Sequence, residues 1–161
     1  MVKFKQEIKW AIIFVIMSLF WMVLERVAGL HHTHIDKHLY LTNFFAIPAV
    51  WIYVLAIIDK KNNHYNGQMT YIQGFISGFF ITIFVATLSP LNQWIISTLI
   101  TPDYFSNAIA YALDSGYHDS RKEAEAYFNL RNYMFQSFVG SLIMGIMTSL
   151  IVPLFIRSRS K

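Results

Sequence analysis

No cysteine occurs in the 161 residues. That excludes a disulfide, a thiolate metal site, a cysteine nucleophile and an iron–sulfur cluster. Charge is scarce as well, at 14% of residues, where a soluble domain carries about 25%. No Gly-rich phosphate loop is present, because "GFISGFF" falls inside an apolar run. No Gly-x-Ser-x-Gly and no His-Glu-x-x-His motif occurs either. The net charge of +4 does not imply a nucleic-acid partner, because the basic residues sit at the edges of apolar blocks. That placement is a membrane-topology pattern.

What the chain has instead is length of apolar sequence: 55% of residues are hydrophobic and 17% aromatic. A bilayer core is about 30 Å thick and takes roughly 20 apolar residues as helix. Four runs qualify, at about 10–30, 39–58, 70–100 and 132–156. The expected fold is therefore all-α: a four-helix transmembrane bundle in one integral membrane domain. A helical extracytoplasmic lid is expected over about 101–131. Bulky Trp21 and Met22, and the charged Glu25 and Arg26 beside "VAG", argue against cleavage of the first run as a signal peptide.

Basic residues orient the bundle. Lys3, Lys5, Lys9, Lys60, Lys61, Arg157, Arg159 and Lys161 fall on one side with only Glu7 and Asp59. By the positive-inside rule this side is cytoplasmic and holds both termini. The segment "TPDYF…NLRN" and a histidine-rich turn face outward.

Helices in lipid associate through close backbone approach and interhelical hydrogen bonds. The third run carries Gly74, Gly78, Thr82 and Ala86 at four-residue intervals; the fourth carries Ser137, Ser141, Gly145 and Ser149. Each set lies on one helix face, so a close antiparallel contact is expected. Pro90 and Pro48 are expected to kink their helices. In the lid, Thr101–Pro102 reads as a cap and first turn, followed by an apolar face ending near Gly116. Ser120 and Glu123 read as a capping box whose helix runs into the fourth crossing without a breaker.

The polar residues inside the apolar runs gather toward the outer end: Glu25, Arg26, Asn43, Asn92, Gln93, Arg131 and Gln136. Ionisable groups within a membrane are costly and are paired or face water. Glu25 and Arg26 are adjacent and point apart, so each needs another partner, and Arg131 is the choice for Glu25. These residues read as a hydrogen-bonded belt or as the rim of a shallow ligand or ion cavity. Next to them "LERVAGLHHTHIDKH" places four histidines within eight residues. On a helix, His31, His34 and His38 share a face, a spacing that suits zinc, with Asp36 or Glu25 completing the set. No cofactor is otherwise expected.

The successive segments "LER…GLHHTHIDKH", "TNFFAIPAVWIYVLAIIDK", "MTYIQGFISGFFITIFVATLSPLNQ", "ITPDYFSNAI" and "EAEAYFNLRNY" resemble the family termed domain of unknown function 4199. The resemblance runs from about Lys9 to Ile156. It implies a small four-helix bacterial inner-membrane protein and supplies no active residues. Glu25, His31, Asp36, His38, Asn43, Pro48, Pro90, Pro102 and Glu125 fall within its motifs, whereas His32 and His34 look individual.

The leading functional expectation is a non-enzymatic structural or accessory component that associates with itself or with another membrane protein. The alternative is a small transporter or ligand-binding protein that uses the outer cavity. A metal-dependent membrane enzyme is third.

Overall fold

The computed structural model describes residues 4–158, and the basic Lys3, Arg159 and Lys161 lie outside them. Helix α1 covers Lys5–Val27. Helix α2 (Ile35–Leu41), a 3-10 turn (Thr42–Phe45) and α3 (Ala46–His64) follow as one continuous helical run. Helix α4 covers Tyr71–Ile95 and passes into a π turn, Ile96–Ile100. Short helices α5 (Tyr104–Asp114) and α6 (Arg121–Tyr127) precede α7 (Leu130–Ile156). No strand occurs among the described residues. Four stretches, Lys5–Val27, Ile35–His64, Tyr71–Ile100 and Leu130–Ile156, are long and apolar enough to cross a bilayer. The protein is thus a four-helix transmembrane bundle.

The described chain starts and stops at one end of the bundle, where Glu7 pairs with Lys60 and Ser158 meets Met69. There Ser158 donates its backbone N–H to the Met69 carbonyl in the α3–α4 loop, and Lys61 donates to the Ile156 carbonyl at the end of α7 (2.8 Å). We call this the terminal end. The opposite, lid end carries the 28–34 turn, α5 and α6.

The most extensive helix contact is between α4 and α7. It is built from the small residues: a Cβ at Gly78 would lie 2.9 Å from that of Ser149, and one at Gly145 would lie 2.5 Å from Thr82 Cγ2. One turn further toward the terminal end, Gly74 meets Pro153. The pairs step by four residues in opposite directions, which is an antiparallel seam. The Thr82 hydroxyl crosses it to Ser149 (3.3 Å) and to the Tyr53 hydroxyl of α3 (2.8 Å). Ala86 is buried on the same face of α4. Nearer the lid, Ser141 meets the Ser89 hydroxyl (2.7 Å), while Ser137 is only half-buried.

Several local expectations change. The second crossing starts earlier than position 39, and the 3-10 turn sits just before Pro48. A proline ring crowds the carbonyl four residues back, here Phe44, and tightens the chain at that point. The third helix runs through Pro90 to Ile95, and its irregularity is the π turn, closed by the Thr101 N–H on the Ile96 carbonyl (2.7 Å). Thr101 therefore ends the third crossing, and α5 begins at Tyr104. Ser120 does cap α6 by accepting from the Glu123 N–H (3.3 Å). The helix that starts there stops at Tyr127 and does not continue into the fourth crossing. Phe128 leaves helical geometry (φ −86°, ψ 79°), and Asn129 recaps the chain by accepting from the Asn132 N–H (2.9 Å).

Candidate functional site: a buried glutamate between two histidines

The first element of the site is a helix terminus. After Val27 the Leu30 N–H returns to the Glu25 carbonyl and the Gly29 N–H to the Arg26 carbonyl (each 3.0 Å). This is a Schellman closure, which needs a left-handed residue. Gly29 supplies it at φ +80°, and a Cβ there would lie 2.5 Å from Thr33 Oγ1. The reversal brings the chain back over the end of α1, so His31 folds under against Glu25. His34 N-caps α2, which carries His38 one turn further on.

Glu25 is 3% exposed and carries its ligands on both oxygens. The Trp21 indole, one turn earlier on α1, donates to Oε1 (2.6 Å). Oε2 faces His31 Nε2 at 3.2 Å and His38 Nε2 at 3.4 Å. The three ligand atoms all lie within 4.8 Å of one another. His31 is 3% exposed, and its Nδ1 has no hydrogen-bond partner among the described residues.

Tyr104 closes the site from α5. Its ring lies 5.4 Å from that of His31 and 5.2 Å from that of His38, and its hydroxyl is 3.5 Å from both His38 Nδ1 and the Tyr133 hydroxyl. Burial, with a smaller contribution from the Glu25 carboxylate, holds the Tyr104 phenol above the usual tyrosine range, so it stays neutral. Asn107, one turn later, donates to the His31 carbonyl (2.9 Å) and ties the lid to the turn. A crevice of about 120 Å³ lies beside His31 and is lined by Arg26, Thr101, Asp103 and Asn107 among others.

The remaining sequence candidates lie elsewhere. His34 and Asp36 are exposed, because helical geometry starts only at Ile35 and the shared face assumed for residues 31–38 does not form. Glu25 does not pair with Arg131. Arg26 donates instead to the Ile100 carbonyl of the π turn, and Arg131 and Gln136 are exposed. Asn43 bonds to the Leu39 carbonyl of its own helix, and Gln93 bonds to Ser97. Asn92 reaches Ser18 of α1 (3.0 Å). These groups do not join into one belt.

Sequence reasoning missed Trp21 and Tyr104. The first was findable, since it precedes Glu25 by four positions on one helix face; the second comes from a distant segment and left no local signal. It also treated the terminal half as bare. There Glu7 and Lys60, both under a tenth exposed, pair at 2.9 Å, and Ser77 donates to the same Glu7 oxygen (3.0 Å).

Residues 9–158 match the family described as protein of unknown function (DUF4199). No curated protein and no solved structure matches the chain.

Proposed function

The chain belongs to the DUF4199 family, and from its own geometry we propose that it binds a divalent metal ion of the zinc class at the lid end. Glu25, His31 and His38 are the ligands. One observation carries this reading. The Glu25 oxygen lies 3.2 and 3.4 Å from the two imidazole nitrogens, and the three atoms lie within 4.8 Å of one another, close enough for one ion to bridge them. The donor set, two imidazoles and a carboxylate, is one that zinc accepts. The indole on Glu25 Oε1 is the kind of outer partner that fixes a ligating carboxylate.

Three protein ligands leave a fourth position, the arrangement of sites that act on a bound water or substrate rather than purely structural ones. We place the protein in a bacterial inner membrane with both termini cytoplasmic and this site outside. The supporting fact is the clustering of Lys9, Lys60, Lys61 and Arg157 at the terminal end. The small-residue stripes are largely used inside the chain in the α4–α7 seam, so they offer little to a partner.

The test is elemental analysis of protein purified in detergent through a tag without histidine. About one zinc per chain is expected, with loss in the His31→Ala/His38→Ala double variant. Intact wild-type protein that neither retains zinc nor takes it up on titration rejects the reading.

A further inference from the structure

Both imidazoles of the site are held from one short helix. Tyr104 lays its ring against His31 and His38 and puts its hydroxyl 3.5 Å from His38 Nδ1. Asn107, one turn later on α5, donates to the His31 carbonyl (2.9 Å). Under this cover Glu25 and His31 are each 3% exposed and the His38 side chain 18%. An ion held by these three groups is sealed from water. It cannot exchange while α5 stays docked.

The approach from the outer face is the crevice of about 120 Å³ beside His31. At about 30 Å³ for each molecule it has room for roughly four waters. His31 and Tyr104 both line it. The rings that cover the ligands therefore also bound the crevice, and lifting Tyr104 joins the two.

Little holds α5 down. The residues that α5 and α6 bury are Ala108, Ala112 and Ala124, and a single methyl each contributes little apolar area. Helix α5 packs mainly against α2 and α6, and reaches α7 through Tyr104 and Phe105 on the Tyr133 ring. Residues 114–117, which link it toward α6, are exposed. The link turns at Gly116 (φ +70°), where a Cβ would meet nothing within 4 Å. Segments with few buried contacts and exposed connections open at low free energy while the rest of the fold stays closed. The seam between α4 and α7 has no such freedom.

We propose that α5 is the gate of the Glu25 site: it lifts to admit or release the ion and recloses through Tyr104 on His38 and Asn107 on the 28–34 turn. This rests on the zinc reading above and adds that α5 governs the rate of exchange. Removing the Asn107 bond raises the open fraction of the metal-free and the loaded protein alike. Uptake and release then accelerate together, and their ratio is kept.

The experiment uses the full chain in detergent, loaded with zinc alone. Stopped-flow transfer to an excess of chromogenic chelator gives the release rate, and equilibrium competition with the same chelator gives Kd. Asn107→Ala is expected to speed release about tenfold while Kd changes less than about threefold. Hydrogen–deuterium exchange gives a second readout. In metal-free protein the α5 amides are expected to exchange faster than those of α1, α4 and α7, and zinc is expected to slow them. An unchanged release rate, in a variant whose unfolding temperature matches wild type, overturns the gate. So does a release rate and a Kd that rise by the same factor, which would make Asn107 part of the hold on the ion. Zinc uptake that leaves α5 exchange unaltered overturns the gate and spares the metal site. Wild-type protein that takes up no zinc overturns both.

Discussion

The Lys60 ammonium and the Glu7 carboxylate lie 2.9 Å apart near the terminal end of the bundle, linking α3 to α1 within the apolar spans. Ser77 of α4 donates to the same carboxylate oxygen, so three helices meet at one charge pair. Breaking such a pair from one side leaves an uncompensated buried ion, at a cost of about 3–5 kcal/mol. Lys60→Met is therefore expected to destabilise the protein by that order. Adding Glu7→Gln should restore much of the loss. Denaturant unfolding in detergent micelles measures both, and a single variant as stable as wild type contradicts the pairing.

The seam between α4 and α7 gives a second expectation. Gly78→Ala and Gly145→Ala each drive a methyl into a filled contact and should cost about 1–3 kcal/mol. Gly140→Ala, with open space at its Cβ, should stay within about 0.5 kcal/mol of wild type. Thermal unfolding of the three variants side by side separates a packed seam from a merely glycine-rich one.

If zinc binds the folded protein alone, free ion at about 100 times its Kd adds ~2.7 kcal/mol of stability. A chelator should remove that increment from wild type and leave the Glu25→Gln protein unchanged. Differential scanning fluorimetry with and without chelator reads the difference.

Trp21 touches the proposed ion only through Glu25. Trp21→Phe keeps most of the apolar bulk and deletes the indole donor, and it should weaken zinc about tenfold, at the lower end of such outer-partner effects. Competition against a chromogenic chelator gives the affinity. An unchanged value would show that the indole does not position the carboxylate.

Gly29 links fold to site. Gly29→Ala places a Cβ against Thr33 and His34 in a backbone conformation that L residues rarely adopt. It should lower stability by about 1 kcal/mol or more and lower zinc affinity with it, because the turn that returns His31 to Glu25 opens. Binding and unfolding measured on the same preparation test whether the two losses travel together.

The four crossings could be read from hydropathy, since a bilayer's thickness imposes a minimum apolar length on any helix that spans it. The α4–α7 contact was also readable, because small residues at four-residue spacing have one geometric meaning on a helix. The site was only half readable. Glu25 and the histidines stood out by type, but their grouping depended on where α1 stopped. Gly29 signalled that stop, yet treating residues 31–38 as helix put His34 and Asp36 into the ligand set. Tyr104 joins the site across 66 residues from His38, and no local pattern encodes such a contact. The Glu7–Lys60 pair escaped notice because each residue sits next to loop-facing charges at the end of its helix. From sequence the two look like ordinary flanks.

The order in which the chain is synthesised gives the Glu7–Lys60 bridge one more role. Helices α4 and α7, which hold each other most extensively, follow α1 and α3 in the chain and are made after them. The first hairpin must reside in hydrocarbon before either is complete. Its charges at positions 7 and 60 come from the two spans already made, so they can neutralise each other at that stage. A charge pair closed between α1 and α3 thus needs neither of the later helices for its neutralisation.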